Sequence, residues 1–184
     1  MGNIKKNLLY NMGYQILIMI VPLITTPYVS RVLGPDGLGT FSVTTSIVKY
    51  YTLFAVLGMA NYGTRPITKH KSNEKDLSVA FWNLFYFQLI TSSLMTLLYI
   101  AYALSSGNKV SGIVSLCQIP YILSTIFDIS WFYYGMEEFK KITIRNTFVK
   151  VLSALSVFLF VKHPNDVWIY CSINALSFLL GNLC

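Results

Sequence analysis

The sequence predicts an all-α integral membrane protein of six transmembrane helices, with both termini in the cytosol. Three observations lead there. Apolar residues make up 54% of the 184-residue chain and charged residues only 11%, with a mean hydropathy of +0.56. A soluble domain carries roughly 25% charged residues, so this chain lacks the polar surface that water demands. Long apolar runs also alternate with short charged turns. Finally, the cations in those turns are uneven. Six spans place Lys5, Lys6, Arg65, Lys69, Lys71, Lys75, Lys140, Lys141 and Arg145 on one side, and Arg31, Lys109 and Lys162 on the other. An excess of Lys and Arg marks the cytosolic side.

The first span covers residues 7–30. Its basic start resembles a secretory signal, but signal cores run about 7–15 residues. This run is longer and lacks a small-x-small cleavage site. Pro22 and Pro27 fall inside it and make either a simple bend or a hinge. Gly34, Gly37 and Gly39 around Pro35-Asp36 read as a turn. Without a preceding strand or G-x-G-x-x-G spacing they do not read as a nucleotide loop.

The second span, 38–62, carries Lys49 near its middle. A lysine at membrane depth costs about 2.5–3.5 kcal/mol on insertion scales and marks a functional-site hypothesis. Ser42, Thr45, Ser46, Lys49 and Thr52 recur at helical spacing as one polar stripe, which points to a wet cavity. The alternative is a lysine that snorkels to the surface.

A basic loop, 65–75, leads to the third span, 77–104. Trp82 and Tyr86 near one end, and Tyr99 and Tyr102 near the other, are expected at the interfaces. The fourth span, 110–134, contains Pro120 and Asp128 and ends in Trp131-Phe132-Tyr133-Tyr134. That cluster reads as an interfacial belt rather than a sugar-stacking platform. The fifth span is 146–161, with Lys150 about one turn inside. After a turn at 162–166 the sixth runs over 167–184, making one transmembrane bundle.

The net charge of +7 does not indicate nucleic acid, because the cations sit in turns and form no basic face among exposed aromatics. Cys117, Cys171 and Cys184 are far apart in apolar runs and read as small buried hydrophobes. His70 and His163 lack zinc-ligand spacing. No catalytic set or paired carboxylates appear, and the loops are too short for an extramembrane active site. The expectation is a transporter and not an enzyme, with no cofactor. Its candidate path residues are Lys49, Arg31 and Lys150 for an anionic, phosphate-bearing cargo. Asp128 would carry a coupling ion, pair with Lys49, or pair with a nearby loop cation.

Four blocks carry a family resemblance: PLITTPYVSRVLGPDGLGTFS (22–42), FAVLGMANYGTR (54–65), DISWFYYGMEEFKKITIRN (128–146) and FLFVKHPNDVWIY (158–170). They resemble bacterial polysaccharide flippases, the Wzx-type O-antigen and capsule repeat-unit transporters of the MATE-like superfamily. The resemblance implies translocation of undecaprenyl-diphosphate-linked oligosaccharide across the bacterial cytoplasmic membrane, through two helical lobes around a cationic cavity. It implies membrane lipid and polysaccharide assembly proteins as partners. The chain resembles the first lobe alone, so the expectation is an amino-terminal fragment without its second lobe. The similarity to lipid II flippases is weaker, since those carry charges in the first span where this chain has Asn11 and Gln15. The alternatives are a cation-coupled multidrug exporter of the same fold, or a truncated remnant without function. A membrane polymerase or ligase would need a large outer loop, which the sequence does not offer.

Overall fold

The computed structural model describes residues 2–105 and 109–183. Ser106, Gly107, Asn108 and Cys184, and the side chains of Lys5, Lys6, Asn11 and Lys109, lie outside the described residues. The described chain is helical, in the order α1 (Gly2–Val56), α2 (Met59–Tyr62), α3 (Thr64–His70), α4 (Glu74–Ser105), α5 (Lys109–Cys117), α6 (Ile119–Leu123), α7 (Ser130–Gly135), α8 (Phe139–Phe160) and α9 (Val167–Leu183).

The loop expected at residues 31–39 shrinks to one residue. Helical backbone continues through Pro22 and Pro27 and departs only at Gly34, with φ 69° and ψ 179°. That region is essentially restricted to glycine. Pro35 then opens the second arm, where its missing N–H leaves no bond unmade. The two arms run in opposite directions. Tyr28 of the first meets α8 near its end, donating to the Val161 carbonyl at 2.8 Å. Val48 of the second packs on Tyr99 and Ala103 of α4, and Ala55 further along accepts a bond from Thr91 at 2.8 Å.

Among the described residues three helices are long and apolar enough to cross a membrane: Ile18–Val56, which includes both arms of α1, Glu74–Ser105 and Lys140–Phe160. Ser111–Leu123 and Val167–Leu183 are shorter apolar helices. The usual partition of residues is relaxed: apolar side chains cover the outside as well as the core, and polar ones are buried among them. Leu23, Ile90, Leu97, Phe148 and Leu159 stand exposed, while Gln88, Ser92, Ser115, Gln118 and Ser124 are buried. An apolar exterior around a polar-stapled interior is what a lipid solvent favours.

Three core clusters succeed one another along the bundle. Val29, Leu33, Val114, Val157 and Cys171 join the first arm to α5, α8 and α9. Val48, Tyr99, Ala103 and Ile122 join the second arm to α4 and α6. Met59, Ile67 and Trp131 join α2, α3 and α7, with Phe81 of α4 packed beside them. The last cluster marks the basic end. There Thr68 donates to the Gly135 carbonyl at 3.1 Å and Lys71 pairs with Glu137 at 3.2 Å, so segments 64–75 and 135–145 meet. The Gly34 break and the turn at 162–166 meet at the opposite end: a Cβ on Gly37 would lie 2.9 Å from Val167 Cγ2.

Five sequence expectations change in detail. The basic loop 65–75 is helical through His70, and α8 starts at Phe139, taking in Lys140, Lys141 and Arg145. Tyr99, expected at an interface, is fully buried and donates to the Ser115 carbonyl at 2.9 Å. Trp131, expected in the belt, is 2% exposed. Span 110–134 is not one helix but α5, α6 and α7 separated at Gln118 and at 124–129. Pro120, which has no N–H to donate to the preceding turn, sits in the first turn of α6 and accounts for the first break.

Candidate functional site

The broken fourth segment builds the site. Carbonyls freed by the break need partners, because lipid supplies none. Gln88 of α4 reaches across: its Nε2 donates to the carbonyls of Thr125 at 2.6 Å and Asp128 at 2.9 Å. Its Oε1 accepts the Trp131 indole N–H at 2.8 Å. These partners permit one amide orientation, since carbonyls only accept and an indole only donates. Asn182 of α9 donates to the Ser124 carbonyl at 3.0 Å from the other side. At the upper break, Gln118 Nε2 donates to Thr45 Oγ1 at 2.8 Å, tying α1 to the segment.

The strand of chain so pinned presents Asp128 to a cavity of about 310 Å³, lined also by Ile18, Ser130, Asn146, Lys150 and Asn182. The Ser130 backbone N–H donates to Asp128 Oδ1 at 3.1 Å, which orients the carboxylate at the start of α7. Asn146 and Lys150 are four residues apart on α8 and so share a face. Ser177, Gly181 and Asn182 come from α9. A Cβ on Gly181 would lie 3.7 Å from Asn146 Oδ1, so α9 closes on α8 there without filling the space. Arg145 Nε holds Asn146 Oδ1 at 3.1 Å.

Lys150 is half-buried and, among the described residues, makes no ion pair. The cavity therefore combines one cation, one carboxylate and two carboxamides at the depth of the helices. It can hold an anion on the ammonium, present acceptors to a cation or proton on Asp128, and bond hydroxyls through both amides.

Of the four residues singled out from sequence, the structure brings together Asp128 and Lys150. Lys49 lies apart, exposed on the second arm of α1 beside the exposed Ser42 and Ser46, while Thr45 turns inward to Gln118. Arg31 is exposed near the Gly34 break. Sequence reasoning missed Gln88, Gln118, Asn146 and Asn182. For Gln88, Gln118 and Asn182 the signal was a carboxamide within an otherwise apolar run, whereas Asn146 stands beside Arg145 and carried no such signal.

The far-end turn has its own electrostatics. Asp166 Oδ2 accepts the backbone N–H groups of Lys162 at 2.9 Å and His163 at 2.8 Å. Those two donors hold its carboxyl below the ordinary carboxylate range.

Compared with known proteins, residues 4–184 match the family described as "Polysaccharide biosynthesis protein". The chain belongs to that family. A protein of Escherichia coli (strain K12) named "Putative O-antigen transporter" is 22% identical over 183 residues, covering 98% of this chain and 44% of that protein. A protein of the same name from Shigella dysenteriae is 26% identical over 169 residues, covering 89% and 41% respectively. The chain thus spans less than half the length of both relatives. No solved structure matches. The family is the one the four sequence blocks resemble, and the three long apolar helices among the described residues accord with a membrane protein.

Proposed function

We propose that the chain contributes one lobe of a transporter that carries undecaprenyl-diphosphate-linked oligosaccharide across the bacterial cytoplasmic membrane for surface polysaccharide synthesis. Lys150 would take a phosphate of the carrier, Asp128 would modulate that cation or bind a coupling ion, and Lys49 and Arg31 would line the route outside the cavity. The single observation that carries the reading is the cavity: an ammonium with no ion-pair partner among the described residues, sharing the lining with a carboxylate and two carboxamides, inside a bundle with an apolar exterior. The family match and the relatives' names support the substrate class.

Six spans with both termini in the cytosol also belong to this reading. Its support is the clustering of 64–75 with 135–145 at one end, and of Gly34 with 162–167 at the other. The basic end would be cytosolic.

The test uses a full-length member of the family carrying this segment, in a strain lacking its own transporter. Lys150→Ala should reduce surface polysaccharide at least tenfold at unchanged membrane abundance, with Lys150→Arg retaining part of it. Wild-type polysaccharide in the Lys150→Ala strain would sink the assigned role.

A further inference from the structure

A second cavity lies at the far end, away from Lys150, and nothing above assigns it. It measures about 520 Å³ and lies between the Gly34 break, α5 and the turn leading into α9. That volume is in the range of small-ligand sites, about 300–1,000 Å³. Its polar lining is Asp36, Asn165 and Thr40, and its aromatic wall is Trp168. The Trp168 side chain stands 50% exposed on the first turn of α9. The Asp36 carboxylate and the Asn165 carboxamide take no hydrogen bond from the described residues, whereas Thr40 donates to the Asp36 carbonyl at 3.0 Å.

The walls are held in place independently of any ligand. Asp166 closes the 162–166 turn through its two backbone bonds, which positions Asn165 next to it. Gly37 lets that turn approach α1, since a Cβ there would meet Val167 Cγ2 at 2.9 Å. A site built on such contacts is largely preformed and loses little freedom on binding.

The geometry points to a subsite for a neutral sugar ring. An indole offers an electron-rich face to the C–H groups of a pyranose. A carboxylate and a carboxamide together accept from and donate to neighbouring hydroxyls. The direct contacts separate this cavity from the first: its described lining contains Asp36 and no cation, whereas the first presents Lys150, so a neutral sugar suits the lining better than a phosphate even with Arg31 and Lys162 exposed near that end. The assignment rests on the proposed transport of a lipid-linked oligosaccharide, and places the sugar at the end opposite the basic loops.

The experiment is titration of the full chain in nanodiscs with methyl glycosides of common hexoses and N-acetylhexosamines, read by tryptophan fluorescence and by saturation-transfer NMR. Binding at millimolar concentration is expected for at least one glycoside, with Trp168→Ala and Asp36→Asn each weakening it at least fivefold. Asn165→Ala, an exposed position, repeats the test where the Trp168 variant does not fold. Absence of binding by any glycoside, binding unchanged in these variants, or displacement by inorganic phosphate overturns the subsite. Failure of the transport reading looks different: glycoside binding lost with Trp168→Ala while Lys150→Ala leaves export intact in the full-length protein.

Discussion

Gln88→Leu tests the architecture at its most concentrated point. Leucine is close to glutamine in size, so the substitution removes hydrogen bonds without opening a large void. Three bonds go at once: two to the carbonyls of Thr125 and Asp128, at 2.6 and 2.9 Å, and one from the Trp131 indole, at 2.8 Å. Gln88 is 1% exposed, so water cannot replace them without opening the bundle. Interhelical hydrogen bonds in membrane proteins average about 0.6 kcal/mol and reach about 1.7. Loss of three therefore predicts about 2–5 kcal/mol of destabilisation. The assay is reversible unfolding by SDS titration in mixed micelles, with Trp131→Phe and the double variant completing a cycle. The coupling between the two positions should be about 0.6–1.7 kcal/mol, the value of their shared bond. A cost below about 0.5 kcal/mol for Gln88→Leu, or no coupling to Trp131, refutes the reasoning from these bonds.

Gly34→Ala adds a Cβ that meets nothing within 4 Å, so its cost is backbone strain alone at φ 69°. The same unfolding assay should read about 1–3 kcal/mol. Gly135→Ala fails for the opposite reason: the new Cβ would sit 2.6 Å from Ile67 Cγ2 and 3.1 Å from the Thr64 carbonyl oxygen. Overpacking of this kind costs about 1–3 kcal/mol and should loosen the basic end, seen as faster proteolysis between α3 and α4. The Asp166 carboxyl has a lowered pKa in the folded state, so its contribution is fully present above the unfolded carboxyl's pKa and disappears as pH falls through the folded value. Asp166→Asn should accordingly flatten the acid limb of stability measured against pH.

Composition and cation placement were enough to read a helical membrane protein, because both follow from what lipid forbids. Helix existence was legible, but which side chains face inward was not. In water, an apolar residue at a core position differs in kind from its polar neighbours. In lipid the interior and the exterior are both apolar, and that contrast vanishes. Tyr99 and Trp131 therefore read as belt residues, yet they are buried and hydrogen-bonded. Trp82 and Tyr86, read the same way, are exposed. The orienting information lay in the rare carboxamides. Gln88 and Asn182 are where the bundle is stapled, and the turn chemistry at 124–129 that they complete has no hydropathy signature. Of the site, the charges Asp128 and Lys150 were visible as charges, but their juxtaposition depends on the break at 124–129, which places Asp128 in the cavity.

Two of the filled clusters have a consequence for passage. Val29, Val48, Tyr99, Val114, Ile122 and Cys171 are at most 1% exposed, and they fill the contacts between α1, α4, α5, α6 and α9. In the proposed transport, side chains packed this tightly leave no open channel among them, so the unit would act as a wall and not a pipe. On the proposed function, a cargo would then travel along a flank, handed between docking points. The flank bearing Ser42, Ser46 and Lys49 is the one already provided with polar rungs.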